Sequence, residues 1–332
     1  MTRDRDHLPR VSIVVPTYNG GPHYLVCFEA LCQLDYPPER LEVHVIDDCS
    51  TDGTREYLQR QSPPDFVRLY FPDINMRRAR ARNLALGCAT GEVIILLDGD
   101  MEVKPDFVRE HVAELSKPGR TAVIGRIEPA PWLPKSRLNH YLYASKLRGA
   151  RQFGPNVHIG FQYLLTGNVA LSREALEAGG AFEESFYHYG GEDTLFAYRV
   201  ARKFPHGIFY SDKPVSYHHE DRPLSVHLGL LRDYGCHNLP QIVSRHPEIA
   251  NTLAADFAWP LTGNYSRYKR ALGLVLFNPL TYFLSRALLP VTPFPISNVL
   301  VRFLFVAAVV RGLRRYVRKQ NGLFPDTDHQ QP

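Results

Sequence analysis

Long apolar runs are scarce in this chain. Residues 271–277 and 280–289 are broken by Asn278-Pro279 and by Arg286, and residues 296–310 contain Arg302 before running into a basic cluster. None is a clean run of the roughly 20 apolar residues that a membrane-spanning helix needs. Cysteine is sparse as well. Cys27, Cys32, Cys49, Cys88 and Cys236 are scattered, odd in number and without metal-type spacing. That excludes a disulfide framework or zinc module and leaves thiols in a reducing compartment. Residues 1–10 are polar and charged with no apolar core, so no secretory signal is expected. Internal repeats and low-complexity tracts are missing, and so is a Cys or Ser nucleophile grouped with a base, which argues against covalent double displacement. Nor is charge of one sign abundant: 39 Lys and Arg against 34 Asp and Glu give +5. The excess collects late, at Arg302, Arg311, Arg314, Arg315, Arg318 and Lys319. This placement suits an anionic membrane surface or a phosphorylated substrate better than a nucleic-acid groove.

What the chain does have is Gly91-Glu92-Val93-Ile94-Ile95-Leu96-Leu97-Asp98-Gly99-Asp100. So short an unbroken apolar run reads as a strand buried on both faces, as in a parallel sheet. The two aspartates then stand at the strand's carboxyl end, where open α/β sheets bind ligands. Asp98 and Asp100, two apart on an extended chain, point the same way and repel each other unless a cation lies between them. Gly99 would let a bulky ligand approach the backbone. A divalent metal holding a phosphorylated ligand fits this pattern, and a solvated acidic turn is the plainer alternative.

The rest of the chain supplies the context. Residues 11–15 are a β-branched strand that stops at Pro16-Thr17-Tyr18-Asn19-Gly20-Gly21. A helix is expected over residues 24–33. Residues 41–46 form a second strand, also ending in carboxylates at Asp47-Asp48-Cys49-Ser50-Thr51-Asp52-Gly53-Thr54, and a helix follows to about residue 59. Residues 66–71 read as a third strand, and residues 75–88 as a helix bearing Arg77, Arg78, Arg80 and Arg82. This alternation predicts a doubly wound parallel sheet. Further on come strands over residues 122–126, 208–210 and 215–218, the last running into His218-His219-Glu220-Asp221, and a helix opened by Tyr189-Gly190-Gly191-Glu192-Asp193. The late helical segments lie in a membrane interface or serve as core or dimerisation helices.

Together these pieces resemble the family 2 glycosyltransferases of the GT-A fold. The motifs are Val11 to Asn19, Asp47 to Thr54, Ala81-Arg82-Asn83 with Asp98-Gly99-Asp100, and Thr166-Gly167-Asn168 with Gly179-Gly180-Ala181-Phe182-Glu183-Glu184, in that order. Gly190-Gly191-Glu192-Asp193 with Phe196 and Arg199, then Tyr217-His218 with Glu220, is similar to the arrangement in chondroitin-type polymerases and in galactosyl- and N-acetylgalactosaminyltransferases, which usually carry Trp where this chain has Tyr189.

The resemblance implies a Rossmann-like, mostly parallel sheet flanked by helices over residues 1–225, with a nucleotide half near 10–101 and an acceptor half near 102–225. Residues 226–332 would form a helical extension. It implies an inverting transfer from a UDP-sugar to a hydroxyl of a saccharide or other acceptor, with Mn2+ or Mg2+. Asp98 and Asp100 would hold the cation with His218, His219 being the alternative. Pro16, Thr17, Tyr18, Asp48, Arg80, Arg82 and Asp98 would face the nucleotide. Asp193 would be the base, since inversion needs one carboxylate to take the acceptor proton. Glu192, Gly191 and Tyr189 would face the acceptor. The expected setting is cytoplasmic, peripheral on the inner face of the cell membrane through residues 271–319, with a homodimer as a further expectation and no nucleic-acid partner. Two rivals are a nucleotidyltransferase, which usually has a basic Gly-rich first loop that Pro16-Thr17-Tyr18-Asn19 is not, and a non-catalytic membrane scaffold.

Overall fold

The structure is a computed structural model that describes residues 8–258 and 264–320. Most of the opening decapeptide, read above as free of a secretory signal, lies outside the described residues. The chain forms two compact units. The first comprises Met1–Pro134, Gly149–Ser185 and Glu192–Asp221, and the second Lys135–Arg148, Phe186–Gly191 and Arg222–Pro332.

The first unit is built on an eight-stranded mixed sheet. Its strands are β1 (Val11–Thr17), β2 (Leu41–Asp47), β3 (Val67–Tyr70), β4 (Val93–Leu97), β5 (Met101–Val103), β6 (Ala122–Pro129), β7 (Asn168–Ser172) and β8 (Ile208–His218). They lie in the order β3-β2-β1-β4-β7-β6-β8-β5. β3, β2, β1 and β4 run parallel. β7 is antiparallel to β4 and β6, and β8 is parallel to β6. Period-two alternation puts Val11, Ile13 and Val15 in the core on one face and Val14 with Ile94 and Leu96 in the core on the other. This is why β4 reads as an unbroken apolar run, and why β1 is apolar over residues 11–15 apart from the buried Ser12. The two short strands expected near residues 208–218 are one strand, whose pairing with β6 shifts register between Ile124 and Arg126. Asn168 staples this half from inside. Its side chain donates to the carbonyls of Arg126 and Pro214 and to Ser216 Oγ, and meets His111 Nε2 at 2.7 Å.

The second unit is helical. Val301, Leu304 and Ala308 of the helix Ile296–Gln320 pack with Leu228 of the helix Leu224–Cys236 and with Leu138 and Tyr141. The helix Ile296–Gln320 is longer than residues 296–310 suggested. By length and composition it could cross a membrane, although half of its apolar window is buried inside the fold. Arg302 interrupts the sequence run without breaking the helix. The helices Asn264–Leu276 and Pro279–Leu288 follow one another; the segments Tyr268–Leu276 and Pro279–Val291 are bent by 47° at their junction, where Asn278 caps the second helix by accepting from Leu280 N and Thr281 N.

Candidate active site

The parallel strands β1, β2 and β4 end side by side, which gathers their loops at one edge of the sheet. The loops after β1 and β2 are laced together. Asp48 N donates to the Thr17 carbonyl at 2.9 Å. Asn19 N donates to Ser50 Oγ at 2.8 Å, and Asn19 Oδ1 accepts from Thr51 N at 2.7 Å. Pro16 and Thr17 are largely enclosed, while Tyr18 is 53% exposed. Asp48 is buried, and its Oδ1 accepts from Met76 N at 2.6 Å. Burial raises its pKa, and the amides of Met76 and Arg77 oppose that rise.

Arg82, on the helix Arg77–Cys88, is 2% exposed. Its Nη2 donates to Asp98 Oδ1 at 2.7 Å, and its Nη1 lies 3.5 Å from Asp193 Oδ1 and 3.6 Å from Glu192 Oε1. One buried cation thus joins the carboxylate after β4 to both acids at the start of the helix Glu192–Lys203. Asp193 Oδ1 also accepts from Thr166 Oγ1 at 2.9 Å. Its pKa is raised to about 6, first by burial and next by the Glu192 charge, with Arg82 pulling the other way. A carboxylate near neutrality with a fixed hydroxyl donor has the properties of a general base. Thr166 belongs to a motif the sequence reading assigned to the acceptor half, and nothing in its spacing announced that it would hold Asp193.

Antiparallel pairing of β5 with β8 sets Met101 opposite His218. Asp100 precedes β5, so its Oδ2 meets His218 Nε2 at 3.1 Å. Glu220 Oε2 lies 3.8 Å from the same nitrogen. One donor atom each from Asp100, His218 and Glu220 fall within 4.8 Å of one another. Two carboxylates and one imidazole are a donor set that fits a divalent cation. Burial pulls the His218 pKa down, but the hydrogen bond to Asp100 and the charges of Asp100, Glu220 and Asp98 prevail and raise it. His219 faces elsewhere. Its Nδ1 accepts from Trp132 Nε1 at 3.1 Å, and its Nε2 meets Glu102 Oε2 at 2.6 Å. Both ring nitrogens of His219 are therefore committed to neighbours. Asp98, grouped with Asp100 from sequence, is turned to Arg82, and Glu220 stands in the cluster that Asp98 does not join. The resemblance grouped Glu220 with Tyr217-His218 but did not place it among the expected metal ligands; its His-x-Glu spacing was the available signal for that.

These motifs correspond to a known family. The profile described as glycosyl transferase family 2 matches residues 12–179, just over half of the chain. The chain belongs to glycosyl transferase family 2. It is similar to the hyaluronan synthase of Pasteurella multocida, 29% identical over 63% of this chain and 24% of that protein. It is also similar to the validoxylamine A glucosyltransferase of Streptomyces hygroscopicus subsp. limoneus, 27% identical over 61% of this chain and 49% of that protein. The matched stretch thus spans a quarter to a half of these relatives' length. A mannosyltransferase from Pyrobaculum calidifontis, solved in complex with GDP-Man and Mn2+, shares the GT-A fold with a TM-score of 0.61 at 24% identity, over 93% of this chain and 88% of that one.

Two motifs of this family 2 chain are bound directly to each other. Asn83 pairs with the backbone of Phe182, donating to its carbonyl at 3.0 Å and accepting from its amide at 2.8 Å, 99 residues away. The Arg82 guanidinium lies over the Phe182 ring, 5.5 Å from its centre. Arg80 does not share this site: two residues from Arg82 on a helix, it points about 200° away and is exposed. Gly99 has a different role from the one expected. An added Cβ would meet the Pro16 carbonyl at 2.9 Å and the Tyr24 ring at 3.0 Å, so it is packing against β1, not ligand approach, that demands glycine. In the helical unit, Tyr189 N donates to Asp233 Oδ2 at 3.5 Å and the Gly190 carbonyl accepts from Asn238 Nδ2 at 2.6 Å. Gly191 has φ +98°, and a Cβ there would meet Ile242 at 3.1 Å. This glycine serves the turn into Glu192.

Proposed function

We propose that this family 2 glycosyltransferase moves a sugar from a UDP-sugar to an acceptor hydroxyl with inversion, and that Asp193 is the base. The observation that carries the reading is the Arg82 network, in which one buried guanidinium is shared by Asp98 on the donor side and by Asp193 on the acceptor side. Asp48 would accept a hydrogen bond from the base of the nucleotide, with Pro16, Thr17 and Tyr18 against base and ribose. The acceptor O–H gives its proton to Asp193 as its oxygen bonds to the sugar carbon and the diphosphate departs with the old bond's electrons. Burial first, and the Glu192 charge next, keep the Asp193 pKa high. Tyr189 and Gly191, which precede Glu192 in the chain, are assigned with it to the acceptor. Asp100, His218 and Glu220 would hold Mn2+ or Mg2+, with Asp98 nearby. A divalent cation bound there supplies positive charge to the leaving diphosphate.

The second unit adds a membrane reading. Leu274, Val275, Leu280, Phe283, Leu284 and Leu288 are large apolar side chains left exposed on two consecutive helices. With Arg286 and the basic end of the helix Ile296–Gln320 nearby in sequence, they suit peripheral attachment to an anionic cytoplasmic leaflet through residues 271–319. Pairing of two copies through the same face is the competing outcome.

Calorimetric titration with UDP and Mn2+ tests the donor site. Glu220→Gln should weaken metal-dependent UDP binding at least about tenfold, since even outer-shell partners of metal ligands are worth that much. Unchanged binding would remove Glu220 from the ligand set. Wild-type protein that binds UDP equally well without metal would refute the donor-site reading.

A further inference from the structure

The second unit holds a cluster of metal-ligating side chains that sugar transfer does not use. The helix Leu224–Cys236 carries Asp233 in its last turn, and His237, its C-terminal cap residue, follows four positions later. That spacing puts both side chains on one face. His188 comes from the segment Phe186–Gly191 of the same unit. Its Nδ1 meets Asp233 Oδ2 at 3.1 Å, and His237 Nε2 lies 3.4 Å from Asp233 Oδ1. One ligand atom from each of the three falls within 4.8 Å of the others. The two imidazoles are stacked, with ring centres 3.6 Å apart and planes 7° from parallel. Charged rings this close repel each other, whereas a metal takes them neutral. The backbone around His188 is pinned. Tyr189 N donates to Asp233 Oδ2 at 3.5 Å, and Nδ2 of the buried Asn238 donates to the carbonyls of His188 and Gly190 at 2.8 and 2.6 Å. The three side chains stay open to solvent, His188 being 44%, Asp233 37% and His237 28% exposed, so an ion can enter.

We propose that His188, Asp233 and His237 form a metal site of the zinc class, separate in its residues from Asp100, His218 and Glu220. Two imidazoles and one carboxylate are a nitrogen-rich donor set, which suits Zn2+ better than the oxygen-seeking Mg2+ or Mn2+. Three protein ligands leave the fourth tetrahedral position to water or to a ligand. Parallel rings do not aim their lone pairs at one point, so ligation turns one of them about χ2, a torsion that is broad in histidine. The bound ion would tie the segment Phe186–Gly191 to the helix Leu224–Cys236, and that segment continues along the chain into Glu192. The site does not depend on the transferase reading.

The test measures binding of the metal alone. Full-length protein without a polyhistidine tag is stripped with EDTA, dialysed and titrated calorimetrically with Zn2+. His218→Ala serves as the background, so that the other trio lacks its imidazole. This protein should bind Zn2+ at a single site, and Mn2+ at least about tenfold more weakly. Adding His188→Ala or His237→Ala should weaken Zn2+ binding at least about 100-fold, because a lost ligand costs more than the roughly 10- to 100-fold that its outer-shell partners are worth. Zn2+ should raise the Tm of the His218→Ala protein and leave that of either double variant unmoved. Tm in EDTA shows whether each variant still folds, and because the two histidines lie on different segments, a variant that unfolds leaves the other as the test. His218→Ala protein that binds no Zn2+ would overturn the proposal. So would Zn2+ binding that is unchanged once His188 and His237 are both replaced, and Asp233 would then be only the shared acceptor of two imidazole N–H groups. Failure of the transferase reading would appear separately, as wild type that releases no UDP from any UDP-sugar.

Discussion

Asp193→Asn separates chemistry from folding because the two effects have opposite signs. The fold raises the Asp193 pKa from 3.8 to about 6. Its ionised form is therefore disfavoured by the native environment. The stability penalty is absent below pH 3.8, grows as pH rises toward 6, and is complete above it. At 1.36 kcal/mol per pH unit, a rise from 3.8 to about 6 corresponds to roughly 3 kcal/mol. Asn carries no charge, can still accept from Thr166 Oγ1, and leaves Arg82 with Asp98 and Glu192. The variant should therefore melt several degrees higher than wild type at pH 7.5, with the gain fading toward pH 4. Loss of a general base should lower the transfer rate about 10²- to 10⁴-fold, or roughly 3–5 kcal/mol of barrier. UDP affinity, measured by calorimetry, should stay within a fewfold of wild type. In wild type, transfer should fall on the acid side as pH drops through about 6 and Asp193 takes up its proton. Normal transfer by the variant would refute the assignment of the base. A lower Tm at pH 7.5 would refute the account of why its pKa is raised.

Two further outcomes follow from the same contacts. Arg82→Leu leaves Asp98, Glu192 and Asp193 without their shared cation, and should cost about 3–5 kcal/mol in urea unfolding at neutral pH, less near pH 5, where Asp193 is protonated; an unmoved midpoint would mean that the network contributes nothing. Replacing Leu280, Phe283 and Leu284 together by Ser should weaken binding to anionic vesicles on the order of 10²-fold or more without lowering Tm, since all three are exposed; equal vesicle binding would rule out this face. Point changes serve better than a deletion after Arg270, which would strip Val301, Leu304 and Ala308 from the core of the second unit.

The sequence by itself determined where chemistry could gather. β-branched runs of period two buried on both faces had to become parallel strands, and the loops bearing Asp48 and Asp98 had to follow them, because those patterns are local to the chain. The motif order was likewise legible, and with it the family. The rest was decided only by long-range pairing. β5 is three residues long and contains Glu102, too short for alternation to show, yet its register against β8 is what brings Asp100 to His218 and Glu220. Arg82 was expected to face the nucleotide, and only helix packing shows it buried against acids 16 and 111 residues away. Which nitrogen, which carboxylate and which arginine meet is a matter of tertiary contact, since partners so distant in sequence leave no periodic trace along the chain.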